Sequence, residues 1–249
     1  MAVRISNIGL LRGVESSGEH LIADPVLWIH VLAGVIALLA GIAAIVTAKG
    51  GFRHNRAGKV YGLTMAIVVV TAFPLSIWAD NWFLFAIAIF TGYLIAAGYR
   101  VVTRRRSGIR GPTKTDDALH ATMLLAGGAM IVTGVYGSVT EILDLGAVLA
   151  VFGAIGGALA VRELGHLRAS PADRTPWFER HIAFMGGGYI ATVTAAITVN
   201  LTMLPALVRW LGPTALGVPL IFYAIARYRP RFGENTPDSI EKTRGDTLS

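Results

Sequence analysis

The sequence predicts an all-α fold, an integral membrane helical bundle of seven transmembrane helices with the N-terminus outside and the C-terminus in the cytoplasm. Of its 249 residues, 54% are hydrophobic and only 15% are charged, against about 25% charged residues in soluble proteins. The apolar residues form long runs separated by short charged segments, as expected for a chain that satisfies its backbone in hydrocarbon by forming helices. Lysine and arginine are also divided very unevenly between the two ends of these runs.

Seven apolar runs approach or exceed the roughly 20 residues that cross a bilayer. They cover residues 25–47, 60–79, 82–102, 118–139, 146–161, 181–204 and about 206–226. The last run is the least regular, because Arg209, Gly212, Pro213 and Pro219 interrupt it. We therefore expect an extracytoplasmic tail over 1–24, a seven-helix transmembrane domain over 25–228, and a cytoplasmic tail over 229–249 that is disordered. The first tail lacks the apolar core of a signal peptide, so the first span should serve as the targeting signal.

The orientation follows from the positive-inside rule, under which lysine and arginine accumulate in cytoplasmic connections. Nineteen of the 22 basic residues fall on one side: Lys49, Arg53, Arg56, Lys59, Arg100, Arg104, Arg105, Arg106, Arg110, Lys114, Arg162, Arg168, Arg174, Arg180, Arg227, Arg229, Arg231, Lys242 and Arg244. Only Arg4, Arg12 and Arg209 fall on the other. Seven spans fit this alternation, whereas six would leave the basic tail outside. The expected location is the cell (cytoplasmic) membrane.

Composition also excludes several classes of function. The chain has no cysteine, which excludes disulfides, thiolate metal sites and cysteine nucleophiles. Its net charge of +7 comes from residues that flank apolar spans, so we expect a lipid bilayer as partner and no nucleic acid. No charged residue lies in the middle of the first six spans, which disfavours a proton pump. The last span has no lysine for a retinal Schiff base.

Two patterns describe helix packing. Gly153 and Gly157 form a small-xxx-small motif, with Gly156 and Ala160 one turn further along, and predict a close helix–helix seam. The sixth span carries a series of polar residues that either bond within their own helix or line a cavity. These residues are Thr192, Thr194, Thr198, Asn200 and Thr202.

The histidines are the main candidates for chemistry. Once the orientation is fixed, His30 lies near the outside, whereas His54, His120, His166 and His181 all fall near cytoplasmic helix ends. Acidic residues precede several of them at helical spacing. Asp116 or Asp117 shares a helix face with His120, and Glu163 shares one with His166.

Two cofactors would suit these residues. A divalent metal would take its ligands from His54, His120, His166, His181, Glu163 and Asp117, because a Glu-x-x-His pair on one helix is a known source of metal ligands in bundles. Haem b would instead take two axial ligands from different helices at one depth. His120 and His181 form the plausible pair, while His30 would need a partner such as Met203.

The segment His54-Asn55-Arg56-Ala57-Gly58-Lys59-Val60-Tyr61 resembles the basic His-Arg-x-x-Gly-Arg-Val-Tyr junction of the YozB-like predicted multi-pass membrane proteins (domain of unknown function 2306). Other similar stretches are His30 with Gly34 and Gly41, His120 with Met123, and His181 with Met185, Tyr189, Ala191, Thr194 and Ala195. Asn55 stands where the junction has arginine. The resemblance implies a multi-pass scaffold with histidines at helix ends and implies no particular reaction.

The leading hypothesis is a membrane protein that binds a metal or haem near its inner face through His120 and His181, for redox or metal-dependent chemistry on a membrane-soluble substrate. A small-solute transporter or channel is the first alternative, favoured by the polar sixth span and the prolines. A structural membrane subunit is the second, acting with a partner subunit or as a homo-oligomer. Whether the chain is an enzyme stays open at this point.

Overall fold

A computed structural model describes residues 17–109, 111–169 and 175–233. These ranges contain seven α-helices and no β-strand, which confirms the predicted all-α class. In chain order the helices are α1 (Ser17–Val46), α2 (Phe52–Trp78), α3 (Trp82–Arg106), α4 (Lys114–Val139), α5 (Gly146–Arg168), α6 (Trp177–Asn200) and α7 (Ala206–Gly233). Each contains a segment long and apolar enough to cross a bilayer. The chain is therefore a multi-pass helical membrane protein.

The helices extend beyond the apolar runs, mainly at their charged ends. Helix α2 begins at Phe52, eight residues before its apolar run at 60, and α5 ends at Arg168 instead of 161. Apolar runs mark the hydrocarbon, whereas backbone hydrogen bonds and caps set the helix ends. Helix α1 likewise starts at Ser17 and α7 reaches Gly233. Residues 1–16 and 234–249 of the predicted tails, together with Arg110 and Arg174, lie outside the described residues.

Helix α7 is continuous although three prolines lie inside it, at Pro213, Pro219 and Pro230. Each proline removes one backbone donor, a loss that membrane helices tolerate. Helix α7 packs mainly on α6: Ile221 lies against Gly186, and Ile190 lies against Gly217. From its start to Arg231 the helix has no buried side chain, so it is the most peripheral helix of the bundle.

Because successive helices run in opposite directions, their connections alternate between two ends of the bundle. The end that holds the α1–α2, α3–α4 and α5–α6 connections and the C-terminus of α7 is called the basic end. The opposite end holds the α2–α3, α4–α5 and α6–α7 connections. Arg209 is the basic residue of the described chain that lies at the opposite end. We predict that the basic end faces the cytoplasm.

Helices α4 and α5 are in backbone contact along a seam of glycines. A Cβ atom added to Gly127 would lie 2.8 Å from the carbonyl oxygen of Gly153, and one added to Gly153 would lie 2.7 Å from the carbonyl oxygen of Gly127. Gly134 and Gly146 approach each other in the same way. The seam predicted from Gly153 therefore exists, and small residues allow it because they bring the two backbones together.

Helix α3 lies at the centre of the bundle and supplies much of its aromatic packing. Phe90 stacks on Phe152 of α5 with ring centroids 5.3 Å apart, and Phe83 meets Trp210 of α7 edge-to-face at 4.8 Å. Tyr93 contacts Phe184 of α6 in the same manner. These contacts set the rotation of α3 about its own axis. With that rotation, the polar residues of α3 face α4 at the basic end.

The α4–α5 seam predicts different responses at two neighbouring glycines. Gly153→Ala should lower the free energy of unfolding by about 1–3 kcal/mol, because the new methyl group meets backbone atoms that cannot move aside. Gly157→Ala should be nearly neutral, since nothing lies within 4 Å of a Cβ atom there. Unfolding in detergent monitored by circular dichroism measures both. Equal stability of the two variants would contradict the close approach at Gly153.

The orientation can be tested by chemical labelling, because the chain has no cysteine and single cysteines can be introduced freely. Thr202→Cys lies in the exposed α6–α7 connection at the opposite end, and Ser107→Cys is exposed at the basic end. In intact cells a membrane-impermeant maleimide should label Thr202→Cys and leave Ser107→Cys unlabelled until the membrane is opened. The reverse pattern would mean that the basic end faces outward.

Candidate functional site

The most buried charged group at the basic end is the carboxylate of Asp116, which is 1% exposed. It lies in the first turn of α4 and accepts hydrogen bonds from two arginines of α3. Arg100 donates through Nε to Oδ1 at 2.9 Å, and Arg104 donates through Nη1 to Oδ2. One carboxylate therefore holds two guanidinium groups, which balances the cost of burying its charge.

The start of α4 places this carboxylate. Thr113 is the N-cap residue, and its hydroxyl accepts from the backbone N–H of Asp116 at 3.3 Å, while the Thr113 N–H donates to Asp116 Oδ2 at 3.1 Å. This reciprocal capping box satisfies two backbone donors that a helix start leaves free. Arg104 also donates to the carbonyl oxygen of Gly111 at 2.6 Å. The α3–α4 connection is thus tied to the same ion-pair cluster.

Further ion pairs at the basic end join α4 to α5, α5 to α6 and α6 to α7. Arg180 of α6 forms a bidentate pair with the buried carboxylate of Glu163 on α5. Arg229 of α7 donates through Nε to Glu179 at 3.0 Å. The exposed pair Arg168 and Asp117 joins α5 to α4 at 2.9 Å. These pairs form a row of charge contacts from α3 to α7.

The two carboxylates predicted as metal ligands are both bonded to arginine in this row. The Glu163 carboxylate uses both oxygens for Arg180, and the Asp117 carboxylate binds Arg168. The negative charge of a carboxylate that is bonded to a guanidinium group is already paired, so the carboxylate is less available to a metal ion. Among the residues of 17–109, 111–169 and 175–233, no group of three or more His, Asp or Glu side chains comes together in a way that would hold a metal ion.

His120 is buried between α3 and α4. Its Nδ1 atom lies 3.1 Å from the hydroxyl of Tyr93, and the two rings meet edge-to-face with centroids 5.7 Å apart. His120 follows Asp116 by four residues, so both side chains face α3 one helical turn apart. The expected partner of His120 was His181, but the contact described for its ring is with Tyr93.

His181 lies beside His54 instead. The two rings are 6.5 Å apart between centroids, with an angle of 81° between their planes. His54 comes from the first turn of α2 and His181 from the second turn of α6. Trp177, one turn before His181, packs on the same ring at 6.2 Å. The basic end therefore brings together two histidines that are 127 positions apart in the sequence.

The ring nitrogens of this pair differ in their partners. The Nδ1 atom of His54 lies 2.9 Å from the carbonyl oxygen of Ala44, an acceptor, so Nδ1 is the donor in this hydrogen bond and Nε2 is not engaged in it. Lys49 donates to the same oxygen at 3.0 Å, and partial burial lowers the pKa of Lys49. His181 Nδ1 is a buried atom that lacks a hydrogen-bond partner. A buried polar atom without a hydrogen-bond partner destabilises the folded protein unless a ligand binds to it.

The other candidate histidines lie apart from this pair. His30 bonds through Nδ1 to the hydroxyl of Thr71 on α2 at 2.9 Å, which joins the first two helices. Met203, its suggested partner for haem, is 79% exposed in the α6–α7 connection. His166 accepts at Nδ1 from the N–H of Thr175 at 3.0 Å and so helps to hold the end of α5 near the start of α6.

The polar residues of α6 bond mainly within their own helix. The Thr192 hydroxyl donates to the carbonyl oxygen of Gly188 at 2.9 Å, and Thr194 donates to Ile190 at 2.9 Å. Thr198 and Asn200 follow the same pattern with carbonyls of the preceding turn. This bonding agrees with the first of the two interpretations of these residues, namely hydrogen bonds within their own helix.

Comparison of the chain with protein-family models, curated proteins and solved structures finds no match. Its function must therefore be argued from its own residues. From the sequence alone, Arg100, Arg104 and Arg180 are interpreted only as topology signals. Two signals could have indicated the ion-pair cluster: the four-residue spacing of Arg100 and Arg104, and the Thr113-x-x-Asp116 capping pattern.

The buried and exposed carboxylates of α4 predict a matched experiment. Asp116→Asn should lower the free energy of unfolding by about 3–5 kcal/mol, because Arg104 then stays buried without its counter-charge. Asp117→Asn should lower it by less than about 1 kcal/mol, since its pair with Arg168 is exposed. Unfolding curves in detergent measure both variants. Similar losses at the two positions would show that Asp116 is not the central ion-pair residue.

Proposed function

We propose that the chain is a membrane haem protein in which His54 of α2 and His181 of α6 supply the two axial ligands near the basic end. The observation that carries the proposal is the pairing of these rings at 6.5 Å between centroids. They come from two different helices at one depth, which is what bis-histidine haem ligation requires. The protein would lie in the cell (cytoplasmic) membrane.

The separation of the rings favours haem over a tetrahedral ion. A metal–nitrogen bond of about 2 Å, added to about 1 Å from nitrogen to ring centre, puts two imidazoles on opposite sides of one iron about 6 Å apart. Two imidazoles on one tetrahedral zinc ion would be about 5 Å apart, because the angle between them is smaller. The observed 6.5 Å lies closer to the first value.

The hydrogen bonds around the pair also suit axial ligation. A histidine that binds a metal through one nitrogen usually donates its other N–H to a carbonyl or carboxylate. His54 does this through Nδ1 to Ala44, which leaves Nε2 available. The buried Nδ1 atom of His181 lacks a partner, and a ligand bond at that nitrogen would give it one.

The neighbourhood of His54 provides space and charge for such a cofactor. One and two helical turns after His54 stand Gly58 and Gly62, and nothing lies within 4 Å of a Cβ atom at either position. Glycines leave room for a flat ring system beside a helix. Arg53 and Arg56 are exposed next to His54, and their positive charge complements the carboxylates of a haem. The chain has no cysteine, so the cofactor would be held without a covalent link.

Bound haem supplies one-electron chemistry, and the protein would use it to exchange electrons with a membrane-soluble substrate. The residues of this chain would hold the ring between α2 and α6, orient His54 through Ala44 and neutralise charge at the basic end. We also propose kinship with the YozB-like membrane proteins. This rests on the segment 54–61, which holds both the His54 ligand and Gly58.

The proposal predicts a coloured protein. Purified from cells supplied with haem, the chain should show a Soret band, with visible bands that sharpen on reduction. His54→Ala and His181→Ala should each abolish the six-coordinate bis-histidine spectrum, because one of the two histidine ligands is lost. His30→Ala is the matched control and should keep it, since His30 bonds to Thr71 away from the pair.

Two further variants keep the test decisive if an alanine variant folds poorly. His181→Met should retain haem with a changed spectrum and a raised reduction potential, as expected for histidine–methionine ligation. Loss of haem from His120→Ala but not from His54→Ala would show that His120 and His181 are the ligands and that the assignment to His54 is wrong. A colourless wild-type protein with no bound haem would overturn the proposal.

A further inference from the structure

An apolar cavity lies between α3, α4 and α5, in the half of the bundle away from the histidine pair. Its volume is about 290 Å³. Phe83 and Ala86 of α3, Ala126 and Met130 of α4, and Leu149 of α5 line it, and the polar side-chain groups among the lining residues are the hydroxyl of Thr133 and the indole N–H of Trp82. The cavity therefore offers almost no hydrogen-bonding partner to water or to a polar solute.

The packing of the three helices explains why this space exists. The glycine seam holds α4 against α5. At the basic end α4 is also tied to α3, through the Asp116 cluster and through the contact of Tyr93 with His120. In the opposite half the rings of Phe83 and Phe90 on α3 contact Trp210 of α7 and Phe152 of α5. A space between α3 and α4 is left in that half.

The cavity opens on the outer flank of the bundle. Trp82 and Ala129 both line it, and both are exposed. Trp82 is the first residue of α3, at the depth where tryptophan is typical of membrane interfaces. The opening therefore lies within the membrane-spanning part of the bundle, on the side of the opposite end. The molecules that surround this flank are lipids.

From this geometry we infer that the cavity binds a hydrocarbon chain of a bilayer lipid from the leaflet at the opposite end. Water is a poor occupant, because buried water needs two to four polar partners and apolar cavities stay dry. An empty cavity deprives its lining of dispersion contacts. A cavity of about 150 Å³ is enough to hold benzene in a soluble protein, so this one accommodates several methylene groups of a chain.

The inference is independent of haem binding, since the cavity and the histidine pair lie in different halves of the bundle. The gain on binding comes from packing, because a chain in the bilayer is already out of water. A long flexible chain that enters from the side therefore suits this site better than a compact polar solute.

A photoreactive phospholipid, with a diazirine near the middle of its acyl chain, tests the inference in proteoliposomes that contain the full chain. Lipid in the bulk bilayer reaches exposed residues such as Leu125, which is 78% exposed. Crosslinks to the buried residues Phe83, Met130 and Leu149 require the chain to enter the cavity. We expect these crosslinks in the wild-type protein.

Filling the cavity supplies the control. Ala126→Phe should remove the crosslinks to Phe83, Met130 and Leu149 while leaving those at Leu125, because the new ring occupies the space. Ala158→Phe, on the lipid-facing side of α5, should leave all of them unchanged. Ala86→Leu serves as a second filling variant if Ala126→Phe does not fold.

Two results would overturn the inference. One is labelling confined to exposed residues, with none on the three buried ones, and the other is buried labelling that persists in the filled variants. A photoreactive isoprenoid quinone is run in parallel. If it labels the buried residues and the phospholipid does not, the occupant is an isoprenoid chain and the assignment to an acyl chain is wrong.

Discussion

The exclusion of charge from hydrocarbon is the constraint on which this structure depends. Arginines and carboxylates can join helices only where the bundle meets the membrane surface, and the ion pairs described between helices lie at the basic end. Contacts at greater depth must be made by glycine, aromatic rings and hydroxyls. The Asp116 cluster therefore holds helices together at the membrane surface, and the seam at Gly127 and Gly153 holds them together within the hydrocarbon.

The sequence was sufficient for the fold class, the number of spans and the existence of a seam at Gly153, because each depends on a local pattern. It was insufficient for the pairing of side chains between helices. Glu163 and His166 have suitable spacing for metal ligands, yet Glu163 bonds to Arg180 on α6. Helical spacing predicts which residues share a helix face. Which residues that face contacts depends on how the helices pack in the bundle.

The histidines illustrate the same difference. Depth placed four of them near one membrane face, but depth does not distinguish His120 from His54 as the neighbour of His181. The distinction depends on which helices are adjacent: α6 contacts α2 near His54, while α4 presents His120 to Tyr93 of α3. The hydroxyl of Tyr93 contacts Nδ1 of His120, and the carbonyl oxygen of Ala44 contacts Nδ1 of His54. Neither partner can be recognised from spacing in the sequence.

The peripheral position of α7 has a consequence for the topology of the chain. Its contacts with the rest of the bundle are made largely through α6, and it buries no side chain from its start to Arg231. A bundle of α1 to α6 would keep the glycine seam, the Asp116 cluster and the histidine pair. The addition or loss of α7 would change which side of the membrane receives the C-terminus. The seventh helix therefore determines on which side of the membrane the C-terminal tail lies, without entering the core of the other six helices.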